Sequence, residues 1–267
     1  MVVLITGASG GFGRVLGEVL AKEGLTVYGT CRRPDEPSGA APFPMLAMEV
    51  GEEASVAACV ADLLEREGRI DVVVNCVNEM MIGLVEEQTP SEVQQLYDTN
   101  VLGVLRVWQQ VLPAMRRQGS GLLVSMSSLG GLLAVPTMSA YTSAKAALEA
   151  MSEALHHELR GTGIDVVILQ PVAMAMDRPA TGAHLHTAAN VGEGSPSLRM
   201  VDRMARDTAA SGLTPEAVAR KVLEVIRLRK RPLRVPLDRA RPLTLVKRLA
   251  PQAVIDRLIG RLLSDVL

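Results

Sequence analysis

The chain has 267 residues, enough for one large α/β domain with a sizeable core, and 48% of them are hydrophobic. No apolar run approaches the roughly 18 residues that a membrane-spanning helix needs, and the N-terminus MVVLITGASG carries neither a basic segment nor a small-residue cleavage site, so a cytoplasmic protein is expected. The net charge of -1 hides 12 basic and 22 acidic side chains in residues 1–198 against 16 and 7 in residues 199–267.

Two readings of the basic tail stay open: it docks on its own body or a second subunit, or it meets an anionic partner or membrane surface. No nucleic-acid partner is expected. Cys31, Cys59 and Cys76 are widely spaced and odd in number, so neither a disulfide nor a metal site is expected from them.

In chain order, Val2 to Thr6 reads as a buried strand, followed by Gly7, Gly10, Gly11 and Gly13 and a helical pattern through Val15, Leu16, Val19 and Leu20. Strand, glycine turn and helix form a phosphate-binding arrangement. Glycine lets the backbone approach a pyrophosphate, and the helix N-terminus offers free N–H groups and the positive end of its dipole. The second strand, Thr26 to Thr30, ends in Cys31, Arg32 and Arg33. An acid at this point holds the ribose 2′-hydroxyl of NAD, whereas a positive charge suits the 2′-phosphate of NADP, so Arg32 beside a non-acidic Cys31 favours NADP. A third strand is expected around Pro44 to Val50, a helix from Glu53 to Glu67, and a fourth strand from Asp71 to Asn75.

A long helix is expected from Pro90 to Arg117 with Asn100 in its interior, although asparagine is a poor helix former. Next comes LLVSMSSLGGLLAVPTMSAYTSAKAAL, residues 122–148, in which a short apolar strand leads into Ser127 and Ser128 and a helix begins near Tyr141. Tyr141 and Lys145 stand one above the other on that helix. A free phenol has a pKa of about 10, and an adjacent ammonium draws it toward working pH. Ser128, at the exposed end of a strand, can donate to a substrate oxygen. Alone, the tyrosine–lysine pair reads equally well as a solvated helix face.

The helix runs to about Arg160, and a strand from Asp165 to Gln170 leads to Pro171, Val172, Ala173, Met174, Ala175 and Met176. Residues 177–212 have scattered small residues and weak periodicity, as a mobile covering segment would. Thr214-Pro215-Glu216 opens a capped helix to about Arg229, and Leu233 to Leu237 supplies a last strand. Residues 243–267 are amphipathic and interrupted at Pro251, with Val254, Ile255, Leu258, Ile259, Leu262 and Leu263 on one stripe.

Strands alternating with helices indicate a single doubly wound parallel sheet, a Rossmann fold of about seven strands spanning residues 1–267. The serine ahead of Tyr-x-x-x-Lys, the T-G-x-x-x-G-x-G spacing at Thr6, Gly7, Gly11 and Gly13, Asn75, Asn100 and Pro171 together resemble the short-chain dehydrogenase/reductase family. That resemblance implies NADP(H)-dependent interconversion of a ketone and a secondary alcohol. Tyr141 is then the acid-base, Lys145 lowers its pKa and binds the nicotinamide ribose, Ser128 polarises the carbonyl, and Asn100 kinks its helix and holds a water that relays the proton. The cofactor-binding positions implied are Gly7, Ser9, Gly11, Phe12, Gly13, Arg32, Arg33, Glu49, Val50, Asn75, Cys76, Val77, Tyr141, Lys145, Pro171, Val172, Met174 and Met176. The chain also departs from the family pattern. Cys76, Val77 and Asn78 stand where N-N-A-G has asparagine, alanine and glycine, and Val172 and Met176 replace a glycine and the threonine that contacts the carboxamide.

Met80, Met81, Met138, Met174 and Met176 fall near the expected pocket, with Met80, Met138 and Met174 taken as substrate contacts. Adaptable methionine suits a bulky apolar, steroid-like or polyketide-like ligand, and it also serves as plain core filler. Two rivals stay open, a protein that binds NADP(H) without turnover and an enzyme using the same tyrosine in a redox-neutral step. A homodimer or homotetramer through helices 91–117 and 141–160 is expected from Leu105, Val107, Trp108, Met151 and Leu155. The tail resembles those of hydroxysteroid and retinol dehydrogenase-like members, with packing on the body and membrane contact as its two uses.

Overall fold

The computed structural model describes residues 1–34, 41–175, 183–238 and 240–267. Seven parallel strands form the main sheet: β1 (Val2–Thr6), β2 (Thr26–Cys31), β3 (Met45–Ala47), β4 (Val72–Asn75), β6 (Gly121–Met126), β7 (Ile164–Gln170) and β9 (Arg234–Pro236), in the order β3-β2-β1-β4-β6-β7-β9. β5 (Asn78–Ile82) and β8 (Ala183–Thr187) pair separately as a two-stranded parallel sheet. Order reverses between β1 and β4, whose ends meet where Thr6 pairs with Asn75. The crevice outside the carboxyl ends of such a pair is where ligands bind in open α/β sheets.

Both faces of the sheet are covered, which explains why its strands read as apolar runs rather than alternating ones. Successive side chains of β1 go to opposite faces. Val2 and Leu4 join the core formed with α2 (Glu53–Glu67), α4 (Gly103–Gln118) and α5 (Ser139–Glu158). Val3 and Ile5 join the core under α1 (Gly11–Lys22) and α7 (Pro215–Arg227). The start of α7 is fixed as its sequence dictates, with Thr214 Oγ1 accepting from Ala217 N at 3.2 Å and Pro215 at the first helical position.

The expected helix from Pro90 to Arg117 is three pieces: α3 (Pro90–Tyr97), a π-helical turn (Asp98–Leu102) and α4. Asn100 sits in the π turn and is buried. The third strand is shorter than expected, so Glu49 and Val50 lie in the turn beyond it. The tail is two helices, α8 (Ala240–Leu249) and α9 (Gln252–Leu262), parted at Pro251.

The largest departure lies in residues 177–212, where weak periodicity predicted no regular element. Residues 183–187 form β8 and residues 196–209 form α6 (Pro196–Ala209). β8 is held by β5, a strand that sequence reading also missed. The end of the tail docks on α6. Arg199 Nε donates to the Val266 carbonyl at 2.8 Å, Arg203 donates to the Leu262 carbonyl at 2.9 Å, and Asp265 pairs with Arg203 and Arg206 at 2.6 and 3.1 Å. Elsewhere the basic stretch 199–267 does place charge on the body, through Arg227 with Glu23, Arg231 with Asp165, and Arg234 with Glu149 and Glu153. The tail's apolar stripe is divided: Ile255 is buried and Leu258, Ile259 and Leu263 half-buried, whereas Val254 and Leu262 are 44% and 49% exposed. Among the described residues no helix is long and apolar enough to cross a membrane.

Candidate active site

The glycine turn follows β1 directly. Gly7 has φ of 68° and Gly11 of 54°, backbone that side chains other than glycine rarely adopt. A Cβ on Gly13 would stand 2.4 Å from the Gly7 carbonyl oxygen, so the spacing of these glycines is a packing requirement. α1 opens at Gly10 without a side-chain cap, which leaves its first N–H groups for a ligand. Asn75, at the end of β4, is buried with both Nδ2 and Oδ1 lacking a partner in the protein. An uncapped helix start, a turn closed to any Cβ and an unsatisfied amide at the crossover fit a pyrophosphate-bearing nicotinamide cofactor. Ser9, Phe12, Cys76 and Val77 are partly exposed around the same turn, and the Thr6 hydroxyl accepts from Cys76 N and Val77 N at 3.0 and 3.3 Å.

Arg32 and Arg33 are exposed at the carboxyl end of β2. The Glu49 carboxylate accepts from Gly51 N at 3.2 Å, closing its own turn. Val50 is buried against Gly103 in the sheet core, so that only its backbone is open to a ligand. Pro171 is buried and its carbonyl accepts from Leu129 N at 2.9 Å, tying this loop to the one after β6. Val172 is half-buried beyond it. Met176 lies outside the described residues.

Tyr141 and Lys145 lie on α5, 4% and 1% exposed. They form no solvated face. Lys145 Nζ donates to the Met126 carbonyl at 2.9 Å and stands 5.7 Å from the centroid of the Tyr141 ring. Burial pushes the Tyr141 phenol up to about 12, against hydrogen bonding from Ser128 and Asn78, which lowers it. Burial brings Lys145 down to about 8, against the charges of Cys76 and Glu149, which raise it. Lys145 thus does not draw the phenol down in the protein alone, because desolvation outweighs everything else at that oxygen. Near neutral pH the site holds an undissociated phenol beside a mostly protonated ammonium.

Ser128 Oγ accepts from Gly130 N at 3.1 Å, which orients the hydroxyl and leaves its proton to donate. Asn100 acts through β5: its Oδ1 accepts from Glu79 N at 2.8 Å and its Nδ2 donates to the Glu79 carbonyl at 2.7 Å. The two bonds clamp β5 beside the helix that carries Tyr141, and they leave one N–H and one lone pair of the amide over.

Two residues escaped sequence reading, and the surroundings of a third, Asn78, did so too. Glu149 continues the Tyr141–Lys145 row by one more helical turn, a signal that was present. Its carboxylate accepts from Ser127 Oγ at 2.7 Å, Gln170 Nε2 at 2.8 Å and Arg234 Nε at 3.2 Å, so the catalytic helix is pinned to β6, β7 and β9. Glu87 accepts from Leu84 N at 2.7 Å and Ser197 Oγ at 2.5 Å, anchoring α6. Burial alone would raise its pKa, but hydrogen bonds from Ser195, Ser197 and Leu84 hold it below the ordinary carboxylate value. Asn78 was read as a departure near the cofactor, yet its amide faces the Tyr141 oxygen.

The methionines divide. Met81 and Met138 are buried in the core behind Tyr141, and Met80 is partly exposed against the same cluster. Met174 packs with Phe12, Cys76 and Leu213 in the core on the opposite face of the sheet. Of the three expected substrate contacts, Met138 is thus buried in the core and Met80 keeps open surface.

A family profile described as short chain dehydrogenase matches residues 1–181. A 3-ketodihydrosphingosine reductase of Bacteroides thetaiotaomicron is 37% identical over 170 residues, 64% of this chain and 62% of that protein's own length. Oxidoreductase BOA17 of Botryotinia fuckeliana is 31% identical over 243 residues, 86% of each. The crystal structure of a short-chain dehydrogenase from Streptomyces avermitilis superposes with a TM-score of 0.83 at 33% identity, covering 96% of this chain and 95% of that one.

Proposed function

The chain belongs to the short-chain dehydrogenase family, and from that premise we propose that it is an NADP(H)-dependent ketoreductase acting on a bulky, largely apolar ketone. The observation that carries this reading is the buried Tyr141 and Lys145 pair with the half-buried Ser128, in a fold whose glycine turn has no room for a Cβ at Gly13. When bound, the cofactor supplies hydride to the carbonyl carbon. Gly7, Gly11, Gly13 and the start of α1 would hold its pyrophosphate, Asn75 and Lys145 its nicotinamide half, and Arg32 its 2′-phosphate.

In reduction, the Tyr141 phenol gives its proton to the substrate oxygen. A phenol raised to about 12 is fully protonated at neutral pH and ready to donate. Ser128 donates to the same oxygen and supports the charge that develops there. Lys145, held by the Met126 carbonyl, keeps a cation close to the phenolate left behind.

Similarity to a 3-ketodihydrosphingosine reductase supports a long-chain ketone as substrate, and the partly exposed Met80 beside the Tyr141 cluster is consistent with an apolar chain. The deciding experiment follows NADPH oxidation with a panel of long-chain, steroid and polyketide-type ketones. Turnover of none of them would favour a binding or redox-neutral role.

A homodimer or homotetramer belongs to the same proposal, on narrower support than the sequence offered. Val107, Trp108 and Leu155 are buried in this chain's own core. Leu105 and Met151 stay partly exposed, and an apolar groove of about 620 Å³ lined by Val93, Tyr97, Asp98 and Leu102 lies where α3 meets the π turn. Light scattering decides it.

A further inference from the structure

Asn78 opens β5 at the place where the family motif has glycine. A side chain therefore enters the site where none is expected. Its amide is a hydrogen-bonding neighbour of the Tyr141 oxygen, acting with Ser128 to lower a pKa that burial raises. The other end of the same amide, Oδ1, is buried and has no hydrogen-bond partner in the protein. A carbonyl oxygen enclosed in this way has given up water without a replacement, and such groups call for an explanation.

The neighbouring backbone donors are occupied, and the Ser128 and Tyr141 hydroxyls are directed to the substrate carbonyl. Glu79 N donates to Asn100, and Gly130 N donates to Ser128 Oγ. Oδ1 can only accept, so what completes it is a donor brought by the ligand. The two ends of a carboxamide are spaced much as a carbonyl oxygen and a hydroxyl on the next carbon are spaced. One amide can therefore lie along both, its N–H end at the Tyr141 oxygen where the substrate carbonyl docks, its oxygen at the neighbouring substituent.

We infer that Asn78 is a substrate-recognition residue whose Oδ1 accepts a hydrogen bond from a hydroxyl or amine on the carbon next to the reacting carbonyl. The inference rests on the ketoreductase reading and narrows it to α-hydroxy- or α-aminoketones. A plain ketone leaves the acceptor unmatched, and a site built around a polar partner discriminates against a ligand lacking it.

The test compares a long-chain α-hydroxyketone with the methyl ketone of equal chain length, in the wild type, in Asn78→Gly and in Asn78→Leu. Gly restores the family residue, and Leu keeps the bulk without the polar atoms should the glycine variant fail to fold. Both kcat/KM values and calorimetric affinities for the NADP-loaded protein are read. The wild type should favour the hydroxyketone, and either variant should lower that preference by about ten- to a hundredfold, chiefly through KM. A ratio near one in the wild type, unchanged by either substitution, overturns the inference and leaves the reductase reading intact. If neither ketone is turned over, the reductase reading fails and calorimetry decides the inference: tighter binding of the hydroxyketone to wild type than to the variants sustains it, and equal binding overturns it.

Discussion

The turn from Gly7 to Gly13 and the paired strands β5 and β8 follow neighbouring strands of one sheet, yet they are made differently. The turn is built from backbone: its conformation depends on φ values of 68° and 54° and on a Cβ-free contact of 2.4 Å, all set within seven residues of chain. The strand pair is built from distant partners. Asn78 pairs in register with Ala183, Asn100 clamps Glu79 from the π turn, and Glu87 holds Ser197. The turn's shape is therefore set locally by backbone, whereas the strand pair depends on side-chain bonds between elements far apart in the chain.

Substitutions in the two regions should separate accordingly. The sharpest is at the point they share. Tyr141→Phe removes one oxygen from a buried ring and should lower turnover by about two to four orders of magnitude with cofactor affinity nearly unchanged; full retention of ketone reduction would show that another group donates the proton. Gly13→Val acts on the turn alone. Its added Cβ meets the Gly7 carbonyl, which cannot swing aside as a side chain would, so NADPH affinity by fluorescence titration should fall by at least about tenfold, the equivalent of roughly 1.4 kcal/mol. Unaltered affinity would mean that the turn yields.

Glu87→Ala acts on the strand-pair region alone. It leaves the Ser197 hydroxyl and Leu84 N without their acceptor, and should cost about 1–3 kcal/mol of stability and raise KM for ketone more than it lowers kcat. The sign with pH is fixed by the depressed pKa of Glu87. Its contribution is present above the ordinary carboxylate pKa and is lost as pH falls through the lower folded value, so the stability gap between wild type and variant should close in acid. A gap independent of pH would show that the carboxylate charge plays no part. The mildest effect is at the rim of the cofactor site, where Arg32→Ala should weaken NADPH selectively over NADH by about tenfold, as loss of one exposed charge-assisted contact would; equal weakening of both cofactors would remove Arg32 from 2′-phosphate recognition.

The doubly wound sheet, the glycine turn and the Tyr141–Lys145 row were legible from the residues alone, because each is written in local periodicity or fixed spacing. Strand, glycine and helix follow one another within a few residues, and Tyr141 and Lys145 need only a helix to be brought together. The sequence also marked Asn78 as an anomaly. What surrounds that anomaly came only with the packed fold. The partner of Asn78 is a tyrosine on another element, the partner of Glu87 lies 110 residues away, and residues 183–187 form a strand only because β5 offers an edge. No window of sequence contains those pairings. The same holds for the electrostatics, where spacing alone suggested a phenol lowered by lysine. Burying both groups raised Tyr141 to about 12 and brought Lys145 down to about 8, because the desolvation that sets such values is a property of the packed site and not of the two residues that share it.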